Sequence, residues 1–151
     1  MNQKQSILLG ILQTLDFDKY VSLCDELLII NKLDLVSELA DQSKRYGYWT
    51  GVYAEAKKYK TTLEDELTVY VSKEKKEFRE ANKGAIKKLT ANDIQAHAES
   101  TATYSQLKKN LVDASYKVDL VKGLLDAMSQ RNGMLIQLSA NNREEAKLIN
   151  G

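Results

Sequence analysis

From Tyr104 onward, residues recur at alternating steps of three and four. The series is Tyr104, Leu107, Leu111, Ala114, Val118, Val121, Leu125, Met128, Asn132 and Leu135. A 3.5-residue repeat keeps one stripe of a helix facing a partner, whereas a strand repeats every two residues. The segment therefore reads as one long helix. The 151-residue chain contains no proline, so no such residue kinks or stops it. A second stripe, Leu120, Leu124, Ala127, Met134 and Leu138, widens the apolar face. A face this broad can touch more than one neighbour, as in a bundle or a higher oligomer. Asn132 falls in an a-type slot, where an amide lowers stability and can fix register. Two uses of the stripe stay open. It is either the core of the chain itself or the contact between copies. On the second use, Leu111, Val118, Val121, Leu125, Met128 and Leu135 are the oligomerisation residues.

A second seam precedes the first. Tyr46, Trp49, Tyr53 and Ala56 step by three, four and three, and Leu63, Leu67 and Tyr70 resume the pattern after Lys60. The spacing predicts a helix from about 34 to about 80, with Asp34 as its N-cap and a weak point near Thr61-Thr62. Before it, residues 3–15 carry an apolar helical face of Ile7, Leu8, Ile11, Leu12 and Leu15. Residues 18–31 follow helical spacing up to Leu28, but the run Leu27–Ile30 would look the same in a buried strand. Thr90 and Asp93 form a capping-box pair ahead of a short helix at Ile94–Glu99, which places His97 at the surface. The polar tail at 141–145 is expected to fray.

The fold class is all-α: long helices in a hairpin or bundle with coiled-coil-like seams, assembling into a homo-oligomer. Residues 1–33 form an N-terminal helical cap or partner-binding segment, and residues 34–151 a long-helix hairpin and oligomerisation domain.

Composition removes most other classes. One cysteine, Cys24, excludes an internal disulfide and a CxxC metal site. One histidine, His97, excludes HExxH chemistry. No Gly-rich phosphate loop or nucleophile elbow occurs. We therefore expect no enzyme, no catalytic residues, no metal and no cofactor. No stretch is long and apolar enough to span a bilayer, and the apolar patch at residues 7–12 runs into acids rather than a cleavage site. A free thiol without an export signal fits a reducing cytoplasm, that of the host if the gene belongs to a phage.

Net charge is only +1, yet the charges are segregated. Residues 1–42 hold three lysines against seven acids, and residues 57–88 hold ten basic groups against six acids. The basic stretch reads either as a solvated helix face or as a polyanion-binding stripe. Lys57, Lys58, Lys73, Lys75, Lys76, Arg79, Lys83, Lys87 and Lys88 are the candidate nucleic-acid contacts. On one helix, Lys76, Lys83 and Lys87 would share a face, with Arg79 one turn from Lys76. Single strands bind to such tracks when flat rings are near for stacking. Tyr48 and Tyr59 lie off the seam and are the stacking candidates.

The pattern Leu89-Thr90-Ala91, Ile94, Tyr104, Leu107, Leu111, Ala114, Val118-Asp119, Leu124-Leu125-Asp126-Ala127, Arg131 and Ile136 resembles the UvsY-type recombination mediators of tailed phages. The segment Leu124–Arg131 carries most of the resemblance, which lies mainly in residues 89–138. The resemblance implies a non-enzymatic homo-oligomer, a ring in that family, that binds single-stranded DNA. It implies help in loading a RecA-like recombinase onto strands covered by single-strand-binding protein. It places the DNA element over Lys73–Lys88, where Phe78 is the only aromatic and the family keeps two tyrosines. The acidic head would hold the recombinase or a basic patch of a neighbour. The competing reading is a structural helical-bundle protein of a phage or similar assembly, without a specific nucleic-acid role.

Overall fold

The computed structural model describes residues 10–84 and 89–150. Residues 10–14 are helical; the rest of the expected first helix lies outside the described residues. Four further helices follow: α1 at Phe17–Leu27, α2 at Leu35–Ala81, α3 at Ala91–Glu99 and α4 at Ala102–Asn150. The described residues contain no strand. The ambiguous run after Leu27 is the end of a helix: the Leu28 N–H closes on the Cys24 carbonyl, and a turn follows at 29–34.

Each boundary has a local cause. The Asp16 carboxylate accepts from the Lys19 amide at 2.8 Å and caps α1. Asp34 does the same for α2 through the Ser37 amide at 3.2 Å. Thr90 and Asp93 form the reciprocal capping box at α3. Thr101 Oγ1 accepts from the Tyr104 amide at 3.2 Å to start α4. Without proline, α2 runs for 47 residues and α4 for 49. The helix continues through Thr61-Thr62, where Thr62 Oγ1 donates back to the Lys58 carbonyl. α4 continues through 141–145, where fraying was expected; Arg143 Nε donates to the Ser139 carbonyl at 3.1 Å.

The chain divides into two units, one of residues 1–56 with 117–151 and one of residues 57–116. In the first, Leu12 and Leu15 join Trp49, Val52 and Ala56 of α2 and Val118, Val121, Leu124, Leu125 and Met128 of α4 in one core. The described part of the N-terminal segment is thus built into the same core as both long helices. Gln42 bonds at Met128, while Ala56 and Val118 meet in that core, so α2 and α4 run antiparallel here. Burial of each large aliphatic in this layer contributes about 1.5–3 kcal/mol. At Gly123 an added Cβ would lie 3.2 Å from the Tyr20 hydroxyl; α1 crosses α4 closely at that point.

Most residues of the two expected stripes are buried or half-buried, and the departures are single positions. On α2, Val52 is fully buried while Tyr46 is 41% exposed. On α4, Arg131 is buried and Asn132 is exposed. Elsewhere the seven-residue spacing holds: Gln42, Trp49, Ala56 and Leu63 on α2, and Ala114, Val121, Met128 and Leu135 on α4, are all buried.

In the second unit, Leu63, Ile94, Ala98 and Ala114 are buried. Tyr70 donates its hydroxyl to Thr101 Oγ1 at 2.8 Å. Phe78 stacks on His97 with centroids 4.0 Å apart, so α3 lies against the end of α2.

Candidate nucleic-acid interface

The basic element lies on the second half of α2 and the turn that follows. Lys73, Lys76 and Arg79 step by three along the helix and are exposed. Lys75 is half-buried on the adjoining side. Lys83 is not on the helix as expected. α2 ends at Ala81, and Lys83 sits in the turn, with Asn82 Nδ2 closing back on the Phe78 carbonyl. Lys87 and Lys88 lie outside the described residues. Lys57 and Lys58 are exposed farther up α2.

Not all of this charge is available. Lys73 pairs with Glu77 at 3.7 Å, and Lys83 with Glu80 at 2.6 Å. Both pairs are solvent-exposed, so they are worth at most about 1 kcal/mol and open readily to a stronger anion. Lys58, Lys76 and Arg79 form no ion pair among the described residues. Phe78, the aromatic of the element, is half-buried and has one face covered by His97. His97 in turn lies 4.0 Å from Glu74. It packs against the join between α3 and α2 and keeps 40% of its side-chain surface exposed. Tyr59 is 44% exposed, on the same stretch as Lys57 and Lys58.

In the first unit, Tyr48 is 46% exposed and meets Trp49 edge to face at 5.6 Å. The acidic head is partly spent on structure. Asp16 and Asp34 cap helices, Asp41 lies 3.9 Å from Arg45, and Glu38 pairs with Arg131. Asp18, Asp25 and Glu26 remain exposed.

The α4 stripe is used inside the chain. Val121, Met128 and Leu135 are fully buried, and Val118 and Leu125 are each 8% exposed. Leu111 is half-buried in the second unit. Apolar surface already covered by the chain cannot also form a contact between copies, which leaves Met134, at 56% exposure, as the open part of the second stripe.

One cluster escaped the sequence reading. Arg131 is 2% exposed. Its Nη1 donates to Gln42 Oε1 at 2.5 Å, and its Nη2 donates to the Ile29 carbonyl at 2.9 Å and to Glu38. Gln42 Nε2 donates to the Met128 carbonyl at 2.7 Å. Glu38 also accepts from the Asn31 amide at 3.2 Å. The Arg131 hydrogen bond, with help from the Asn31 amide and the charges of Arg131 and Arg45, holds the Glu38 carboxyl below the usual glutamate range against its desolvation. The cluster ties the turn after α1 to α2 and α4.

No group of residues suited to a metal ion occurs among the described residues, and no described helix is long and apolar enough to cross a membrane. Comparison with known proteins gives no match: no family model, no curated protein and no solved structure aligns with the chain.

Proposed function

We propose that the chain is a phage recombination mediator. It binds single-stranded DNA as a homo-oligomer and helps load a RecA-like recombinase onto strands covered by single-strand-binding protein. The observation that carries this reading is the row Lys73, Lys76 and Arg79, exposed along one side of α2, with Lys76 and Arg79 unpaired among the described residues. The resemblance in residues 89–138 supplies the biological role. A row of cations at helical spacing neutralises phosphates without reading bases, which suits a protein that must accept any sequence. Tyr59 beside Lys58 supplies a ring on which a base can stack. Several copies would place several such rows on one strand, so modest affinity per chain becomes useful affinity for the assembly.

The alternative is a structural helical-bundle protein. The exposed pairs Lys73–Glu77 and Lys83–Glu80 favour it, because a solvated helix surface carries such pairs for its own stability. A fluorescence-anisotropy titration of the full chain with labelled oligo-dT and with duplex, at two salt concentrations, separates the readings. The mediator binds oligo-dT in preference to duplex, and more weakly at high salt. Absence of binding to oligo-dT at low salt would leave the structural reading in its place.

A further inference from the structure

The last turns of α4 lie at the surface. Every residue from 141 to 149 is exposed, and Leu148 and Ile149 keep 84% and 83% of their surface in water. Glu145 stands one turn before both, so the three residues share a side of the helix. The same unit contains a groove of about 470 Å³ between α1 and α2. Its apolar walls are Leu23, Leu27, Tyr48 and Trp49, and Glu26 and Lys44 stand at its rim. Asp41 and Arg45 also line it, but they face each other at 3.9 Å. Lys44 has no ion pair among the described residues.

The tail cannot fill the groove of its own chain. Arg131 meets Gln42, level with the groove residues of α2. From Arg131, α4 continues as helix to Leu148, roughly 25 Å farther at 1.5 Å per residue. Because α2 runs antiparallel, this extension leads away from residues 41–49. An apolar tip with an acid beside it, and an apolar groove with a lysine beside it, thus occur in one chain and match only between chains.

We propose that residues 141–149 of one copy dock in the α1–α2 groove of a second copy, with Leu148 and Ile149 against the apolar walls and Glu145 against Lys44. Tail and groove are different patches, so the contact is heterologous and repeats from copy to copy until a ring closes. The proposal deepens the homo-oligomer part of the function proposed above and rests on it.

Sedimentation velocity over a concentration series tests it. Leu148→Asp is expected to weaken self-association about tenfold or more, with circular dichroism unchanged because the side chain is exposed. Lys44→Glu and Glu145→Lys are each expected to weaken it several-fold, and their combination to restore it. In a Cys24→Ser background, Glu26→Cys and Leu148→Cys chains mixed under mild oxidation are expected to cross-link between copies. Association that Leu148→Asp leaves unchanged, or charge reversals that do not compensate, would overturn the tail–groove contact. Oligo-dT anisotropy on the same variants keeps the readings apart. Unchanged association with intact oligo-dT binding removes this interface and spares the nucleic-acid reading. A wild-type chain that stays monomeric at every concentration removes both the interface and the homo-oligomer.

Discussion

At the scale of single residues, the Arg131 cluster bears most on stability. A guanidinium at 2% exposure is tolerable only because Glu38, Gln42 and the Ile29 carbonyl accept from it. Removing one member of a buried pair typically costs about 3–5 kcal/mol, because the partner is left desolvated. Arg131→Leu is expected to lower stability by about 3 kcal/mol in urea unfolding. Glu38→Gln should cost less, since its amide oxygen can still accept. The sign of the pH effect follows from the lowered carboxyl. The stabilisation from ionised Glu38 is complete above the usual glutamate range and disappears as pH falls through its depressed folded value. A melting temperature followed from pH 6 downward should therefore fall less in Glu38→Gln than in the wild type. A parallel fall in both would show that Glu38 does not carry this dependence. Little of the cluster was legible beforehand. Asn132 fits the strict seam and Arg131 sits one residue off it, so periodicity chose the wrong polar residue. Arg131 is held inward by acceptors on α2 and on the turn after α1, which the sequence of α4 does not contain.

At the scale of elements, boundaries were more legible than faces. Asp34, Thr90 and Asp93 cap where their side chains can reach first-turn amides, a matter of two or three residues of sequence. The buried faces of α2 and α4 depend on what lies across from them, which the sequence of one helix does not contain. Val52 escaped the α2 stripe for that reason, and Tyr46 was included in it. The same holds for Phe78 and His97, which are 19 residues apart in sequence yet stack at 4.0 Å. Three outcomes follow. Met128→Ala should cost about 2–5 kcal/mol, as expected for a large core side chain replaced by a small one. Charged replacements at Leu125 and Met128 should unfold the first unit rather than release folded monomers, and near-ultraviolet circular dichroism distinguishes the two. Thr90→Ala removes one side of the α3 capping box, a loss of about 1 kcal/mol. Hydrogen exchange in 91–99 should rise, while exchange in the α4 core at 118–128 stays slow.

At the scale of the whole molecule, a chain of net charge +1 binds a polyanion only if its charges are sorted in space. Part of the sorting is consumed internally: the acidic head caps helices and holds Arg131, and Lys73 and Lys83 hold neighbouring glutamates. Within the basic stretch, Lys58, Lys76 and Arg79 are exposed and have no ion pair among the described residues. Each phosphate neutralised on a single strand contributes about −0.7 to the slope of log affinity against log salt. Three contacts per chain predict a slope of about −2 for one bound subunit. Lys76→Ala with Arg79→Ala should reduce it to about −0.7 and weaken binding alike for oligo-dT and for mixed sequence. Glu77→Gln releases Lys73 from its pair and should steepen the slope by up to one further contact. That gain is hard to obtain from general destabilisation and so tests the site itself. Asp18→Asn and Asp25→Asn should leave the slope unchanged; Asp16 is unsuitable as a control because it caps α1. A slope that responds to neither the lysine–arginine pair nor Glu77 would mean that this row of cations serves only to solvate α2.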